Sequence, residues 1–222
     1  MKLRVVIEFR KVIEIEVEKN DTIRKLVEKI KQKNNISINF LTILGERVKE
    51  SDYDNKTIED FDLDDGDHIL ISDYCEGGGG DPPLGIDMAD LSNKNGLIRK
   101  NFASAPKWNK IKKGLNISGI CKNNSCEAYN QEVDCQIGMG KFDLVGDADE
   151  IKCPICFNEI NPTTCVFCKC KYKFEGKKKI NGKTEKVSSD WNRVEKDYEY
   201  FDPGKSGIVT WLRLIIETEP LD

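Results

Sequence analysis

The sequence is poor in features that mark several common protein classes. No apolar run approaches the roughly 18–20 residues that span a bilayer. The start, MKLRVVIEFR, lacks the long apolar core and small-residue cleavage site of a signal peptide. We therefore expect a cytoplasmic or nuclear protein without a membrane segment.

Histidine is almost absent, and this limits the catalytic chemistry. The one histidine, His68, lies between Asp67 and Ile69 at an acidic bend, where we expect a solvated side chain. The chain shows no Ser/His/Asp set, no Cys/His pair and no phosphate-binding loop. We therefore expect no enzyme and assign no catalytic residue.

A strong excess of basic residues is also missing. Residues 1–80 carry 13 Lys and Arg against 18 Asp and Glu, and residues 81–222 carry 22 against 21. A nucleic-acid-binding domain is typically much more basic. Proteins are therefore the expected partners, and nucleic acid is not.

Residues 1–76 show the pattern of a small mixed domain. RVVIEF and VIEIEVE alternate apolar and charged residues, which predicts two half-buried strands. NDTIRKLVEKIKQKNNI predicts a helix capped by Asn20 or Asp21. Its apolar residues recur at helical spacing and predict one buried stripe: Ile23, Leu26, Val27 and Ile30. Three more short strands give the order β-β-α-β-β-β.

That order and three segments resemble ubiquitin and SUMO. IEVEKNDTIRKLVEKI is similar to the second strand, turn and helix of the family, and TILGERV to its strand–glycine–strand turn. TIEDFDLDDGDHILI is similar to its short helix and last strand. The resemblance implies a β-grasp domain over residues 1–76.

A run of four glycines follows this domain, in CEGGGGDPPLG. The run is either a flexible joint, a vestige of a processing site, or a working site cut after Gly78 or Gly80 by a ubiquitin-like protease. The last alternative would make processing or conjugation enzymes partners. Beside it, Cys75 is expected to be an exposed thiol. Residues 77–113 are rich in Gly, Pro, Asn and Lys and predict a flexible linker.

Eight of the nine cysteines lie between 121 and 170. Cys121 and Cys126 form a C-x4-C pair, and Cys153 and Cys156 form a C-x2-C pair. Two such pairs supply the four soft ligands that Zn²⁺ prefers in structural sites. The spacing therefore predicts one structural zinc ion at these four residues, with no open position for catalysis.

The remaining clustered cysteines allow two interpretations. Strand alternation in CKCKYKF places Cys168 and Cys170 on one face, which suits core residues. A second zinc site is the other interpretation, with four ligands: Cys135, Cys165, Cys168 and Cys170.

The end of the chain reads as strands, with a hairpin at Asn181–Gly182 and a turn at DPGKSG. Along the last strand, Ile208, Leu212, Leu214 and Ile216 are expected on one face and Trp211 on the other. Residues 114–222 thus predict a mainly-β, zinc-stabilised domain, and the whole chain an α+β protein. Several segments resemble a poorly characterised Cys-rich, zinc-ribbon-like module of protists, fungi and small animals: GLNISGICKNNSCEAYN, GMGKFDL, CPICFNEINPTTC, CKYKFEGKK and GIVTWLRLIIETEP.

These observations predict a non-enzymatic, ubiquitin-like modifier or adaptor that acts by binding proteins. Two alternatives stay open. One is a RING-like ligase of the ubiquitin pathway, which needs two zinc ions. The other is a zinc ribbon that binds nucleic acid through mixed basic and aromatic segments such as KWNKIKK.

Overall fold

The computed structural model describes residues 1–7, 11–34, 36, 38–72 and 85–222. The chain divides into two compact units, Met1–Leu84 and Gly85–Asp222. Both units are built mainly of strands, and each has its own sheet.

The first unit is a five-stranded sheet with one helix. Its strands lie in the order β2-β1-β5-β3-β4, with β1 parallel to β5 and the other neighbours antiparallel. The elements are β1 (Lys2–Ile7), β2 (Lys11–Glu16), α1 (Ile23–Asn34), β3 (Phe40–Ile43), β4 (Glu46–Val48) and β5 (His68–Ser72). The predicted order of elements is confirmed.

The helix α1 buries the predicted stripe, because Ile23, Leu26, Val27 and Ile30 all point into the core. The predicted cap is wrong. The Thr22 hydroxyl accepts from the backbone N–H of Lys25 at 3.2 Å, which is the N-cap contact. Asp21 instead accepts from the side chains of Lys25 and Lys29, at 2.6 and 2.7 Å.

The prediction of a solvated His68 is also wrong. Its side chain is 1% exposed. His68 opens β5, the central strand of the sheet, and pairs with Arg4 of β1. A side chain on a central strand has neighbours on both sides, so the acidic bend before it does not keep it in water.

The second unit is a nine-stranded sheet organised around one long strand, β11 (Ile160–Ile180). β11 pairs with β8 and then β14 along one edge, and with β13 and then β12 along the other. The elements are β6 (Ile86–Ala89), β7 (Leu97–Lys100), β8 (Gly114–Cys121), β9 (Glu132–Gly138), β10 (Gly140–Asp143), β11, β12 (Lys183–Ser188), β13 (Asn192–Phe201), α2 (Pro203–Ser206) and β14 (Ile208–Pro220).

A bulge at Lys169 lets β11 keep one apolar face along its length. Lys169 has φ 44°, and the ladder to β13 shifts between Cys168 and Cys170. Phe167 and Tyr172 are five positions apart, so they would lie on opposite faces of a regular strand. The extra residue brings them together, and their rings stack with centroids 3.7 Å apart.

The linker predicted over residues 77–113 is wrong from residue 85 onward. β6 pairs with β14, and β7 pairs with β13. The Asn93 side chain also donates to the carbonyl of Ser206, 113 positions away, at 3.0 Å. These strands have four residues each, and their partners are distant in sequence, so local composition does not reveal them.

The predicted hairpin at Asn181–Gly182 is confirmed, since both residues have positive φ, as a tight two-residue hairpin turn requires. The side chains of β14 that point into the core differ from those predicted. Trp211 joins Leu214 and Ile216 in the core, whereas Ile208 is 66% exposed. The ladder shifts between Lys177 and Lys178, which leaves one extra residue in β14 and reverses its facing.

A buried ion pair attaches the β6–β7 connection to β11. The ammonium of Lys178 donates to the Asp90 carboxylate at 2.7 Å and to the Ser92 hydroxyl at 2.7 Å. Both charged side chains are less than a tenth exposed. Both charges are removed from water, so burying either one without the other would carry a large free-energy penalty.

We expect Lys178→Met to destabilise the second unit by about 3–5 kcal/mol, because it leaves the Asp90 carboxylate buried without its partner. Urea unfolding followed by Trp fluorescence measures the change. The control is Lys107→Met, which removes an exposed ion pair with Glu127 and should cost less than about 1 kcal/mol. Equal effects of the two substitutions would contradict the assignment of Lys178.

Candidate metal centre

Four cysteines converge where β8 meets the start of β11. Cys121 is the last residue of β8 and pairs with Ile160, the first residue of β11. Cys126 lies in the turn after β8, and Cys153 and Cys156 lie in the turn before β11. The ladder between the two strands therefore brings both cysteine pairs to one point.

The spacing of the four sulfurs fits a tetrahedral metal ion. All four Sγ atoms lie within 4.8 Å of one another. Cys121 and Cys156 are 3.8 Å apart, and Cys126 and Cys153 are 3.9 Å apart. A tetrahedron with Zn–S bonds of about 2.3 Å has edges of roughly 3.8 Å. These separations are far too long for disulfide bonds, which measure about 2.05 Å.

Backbone amides point at three of the four sulfurs. In each case the donor is the N–H two residues after the cysteine: Asn123 to Cys121, Ala128 to Cys126 and Asn158 to Cys156. The Asn123 side chain also donates to Cys156. Such donors orient the ligands and stabilise negative charge on sulfur.

Burial and these hydrogen bonds give the thiols different pKa values. Burial raises the pKa of Cys121 to about 12. Burial alone would also raise the pKa of Cys156, but hydrogen bonds from Asn158 and Asn123 outweigh it and lower the pKa to about 7. The Cys156 thiol therefore ionises at a lower pH than the Cys121 thiol, and a divalent cation would offset the charge of the thiolates.

The four cysteines form a closed ligand set. Cys121 and Cys153 are fully buried, and Cys126 is 8% exposed. An ion held by four thiolates has no position left for water or substrate, so it would stabilise structure rather than act as a Lewis acid. The four cysteines can bind a metal ion, as the sequence predicts.

The second predicted set is not brought together. Cys135, Cys165, Cys168 and Cys170 form no ligand group among the residues that the structure describes. Cys165 and Cys168 are three positions apart on a regular part of β11, so they lie on opposite faces. Cys165 and Cys170 belong to the apolar core instead.

Two features of the centre were not predicted. The amide donors follow three of the four cysteines at the same offset of two residues, and the spacing C-x-N at 121–123 and 156–158 could have indicated two of them. Phe157 has φ 59° and a ring that is 73% exposed beside the ligands. The predicted processing residues Gly78 and Gly80 lie outside the described residues, and so does Cys75.

A comparison with protein-family models and with curated proteins gives no match for this chain. Within the described ranges, no helix is long and apolar enough to cross a membrane. The assignment of the centre therefore rests on its own geometry.

We expect Cys153→Ser to abolish binding of one Co²⁺ ion per chain, because the fourth thiolate is then missing. Optical titration of the metal-free protein measures this through the thiolate-to-cobalt absorption. Cys135→Ala is the matched control and should still bind one ion, since Cys135 is not part of the cluster. Loss of binding in both variants, or two ions in the unsubstituted protein, would contradict a single centre.

Proposed function

We propose that this protein is a non-enzymatic, ubiquitin-like modifier or adaptor whose second unit is held together by one structural zinc ion. The observation that carries the proposal is the closed set of four cysteine sulfurs within 4.8 Å of one another. A ligand set of this kind supports folding rather than chemistry. Protein binding, rather than catalysis, is therefore the activity that we propose for the two units.

Zinc is the metal that the ligands favour. Thiolates are soft ligands, and a tetrahedral set of four is typical of zinc or iron–sulfur sites. The sulfurs are spaced for a single ion at the centre of one tetrahedron. Structural zinc with four cysteine ligands is therefore proposed.

The first unit supports a ubiquitin-like β-grasp assignment. One helix follows two antiparallel strands, and the sheet order is β2-β1-β5-β3-β4, with β1 and β5 parallel at the centre. This arrangement agrees with the resemblance of residues 1–76 to ubiquitin and SUMO. A modifier of this kind would be released by cleavage after Gly78 or Gly80.

A RING-like ligase is less well supported. Such a module needs eight ligands for two zinc ions, and the part of the chain that the structure describes contains one group of four. The remaining four cysteines of the second unit lie in strands β9 and β11, and three of them, Cys135, Cys165 and Cys170, are core residues.

Removing the metal should destabilise the second unit by about 3 kcal/mol or more, which corresponds to roughly 10 °C in melting temperature. A strong chelator is added, and thermal unfolding is followed by Trp fluorescence. Added Zn²⁺ should restore the original curve. Because the ligands must be deprotonated, lowering the pH should weaken zinc binding. If chelated protein contains no zinc but melts unchanged, the metal is not structural.

The modifier proposal is tested by the intact mass of the protein purified from its native cells. A fragment ending at Gly78 or Gly80 is the expected result. Gly78→Ala/Gly80→Ala should leave the chain uncut, and Gly204→Ala, in the distant α2 turn, is the control that should not. Full-length chain alone would make the glycine run a joint and the protein an uncleaved adaptor.

A further inference from the structure

Basic residues are concentrated in one segment of the second unit. Residues 91–126 contain eight Lys and Arg and no Asp or Glu. The near-neutral balance of residues 81–222 conceals this segment, because acidic residues gather elsewhere in that half. A stretch of this charge attracts polyanions if its lysines are exposed.

The structure fixes this segment against the sheet. After β7, residues 101–113 run without regular structure; we call them the strap. The carbonyl of Trp108 accepts from the backbone N–H of Asp134 at 2.8 Å. The backbone of Lys112 forms two hydrogen bonds with the Asn116 side chain, at 2.9 and 2.8 Å. The strap thus connects β7 to strands β8 and β9.

Beside the strap, a row of three aromatic rings on one face of the sheet has a lysine at each end. We call this the aromatic–lysine face; its members are Lys100, Phe102, Lys169, Tyr198 and Tyr200. The Phe102 and Tyr198 rings are 5.6 Å apart, and the Tyr198 and Tyr200 rings are 6.4 Å apart. The Lys100 ammonium lies 5.2 Å from the Tyr200 ring centre, and Lys169 lies 5.7 Å from that of Phe102.

The face lies opposite the apolar core and is partly open to solvent, since Tyr198 and Tyr200 are half-buried. Phe102 is 49% exposed, and both lysines are exposed. Tyr198 and Tyr200 pair with Cys168 and Val166 of β11, which point away from the core cluster. The two tyrosines are therefore outside the core cluster and keep part of their surface in solvent, while Val166 and Cys168 beside them are buried.

Acidic groups limit the positive charge of this face. The Glu132 carboxylate interacts electrostatically with the Lys100 ammonium, and the Asp134 carboxylate interacts with the Tyr198 hydroxyl. Asp134 is buried and accepts from the Ser118 hydroxyl at 2.5 Å. Charge alone therefore does not make this a strong polyanion site, and any specific ligand must use the rings.

We propose that the aromatic–lysine face binds single-stranded nucleic acid, with bases stacked on Phe102, Tyr198 and Tyr200 and phosphates at Lys100 and Lys169. Bases stack on aromatic rings without sequence preference, and lysines along the groove contact the backbone. The lysines already lie over two of the rings, so they can move a short distance to a phosphate when a base takes their place.

Single strands fit this face better than the other polyanions. A duplex keeps its bases stacked inside, so it could use the lysines but not the rings. An acidic peptide has no flat π surface to match three neighbouring rings. This inference goes beyond the proposed function, which concerns protein partners.

The test is binding of the full chain, loaded with zinc, to a fluorescein-labelled oligouridine of about twenty nucleotides, measured by anisotropy. Phe102→Ala and Tyr198→Ala should each weaken binding about tenfold, through loss of stacking. Lys100→Glu/Lys169→Glu should weaken binding and reduce its dependence on salt between about 50 and about 200 mM. Duplex RNA and polyglutamate should bind at least about tenfold more weakly than the oligouridine.

Two control variants test whether the loss of any exposed ring or any positive charge would weaken binding. Phe157→Ala removes a more exposed ring near the metal centre, and Lys183→Glu reverses a charge at the tip of the β11–β12 hairpin. Neither should change binding. Zinc content and thermal melting verify folding; if Tyr198→Ala does not fold, Phe102→Ala and the lysine variant carry the test.

No binding of the oligouridine would overturn the proposal. Binding that is unaffected by Phe102→Ala, or that is as tight to polyglutamate as to RNA, would also overturn it and would make the strap a general polyanion surface.

Discussion

The second unit depends on a single strand that has partners along both edges. β11 is 21 residues long and pairs with four other strands. A strand of this length must keep its apolar residues on one side although its partners change midway. The bulge at Lys169 resolves this conflict, because one extra residue returns Cys170, Tyr172 and Phe174 to the face already used by Phe167. Core residues of β8 and β14 can then pack into one cluster around it.

The metal centre lies between two turns at one end of this framework. The turn after β8 and the turn before β11 are short and irregular, and a single bridge, between Lys152 and Glu159, connects strand-like residues in the second turn. The core cluster reaches both turns through Ala128 and Ile151, whereas Cys156 is only half-buried and Phe157 is exposed. Four ligands around one ion would hold the two turns together. They would continue the connection between β8 and β11 beyond the last ladder pair, Ile160 and Cys121.

Sequence patterns were informative where the cause was local. The stripe of α1, the Asn181–Gly182 turn and the two paired cysteine spacings each lie within a few residues, and the structure contains all three. Prediction failed where pairing over long distances decided the outcome. β6 and β7 are strands because β14 and β13 lie beside them, and Trp211 is buried because β14 gains one residue relative to β11. Periodicity within a strand cannot reveal a bulge, so the prediction that Cys168 and Cys170 share one face was wrong: the bulge at Lys169 separates them, and only Cys170 belongs to the core cluster.

The two candidate sites of the second unit lie at opposite ends of one ladder. β8 begins at Gly114, which pairs with Cys168 near the aromatic–lysine face, and ends at Cys121 in the metal centre. Seven steps along a strand correspond to roughly 23 Å, so one ligand would not span both with a short contact. A bound ion would therefore fix one end of the ladder between β8 and β11, whereas the same two strands support the strap and the tyrosines at the other end. Two connections link the metal centre to the aromatic–lysine face: the ladder between β8 and β11, whose register shifts between Pro162 and Thr164, and the strap, whose Lys107 pairs with Glu127 beside Cys126.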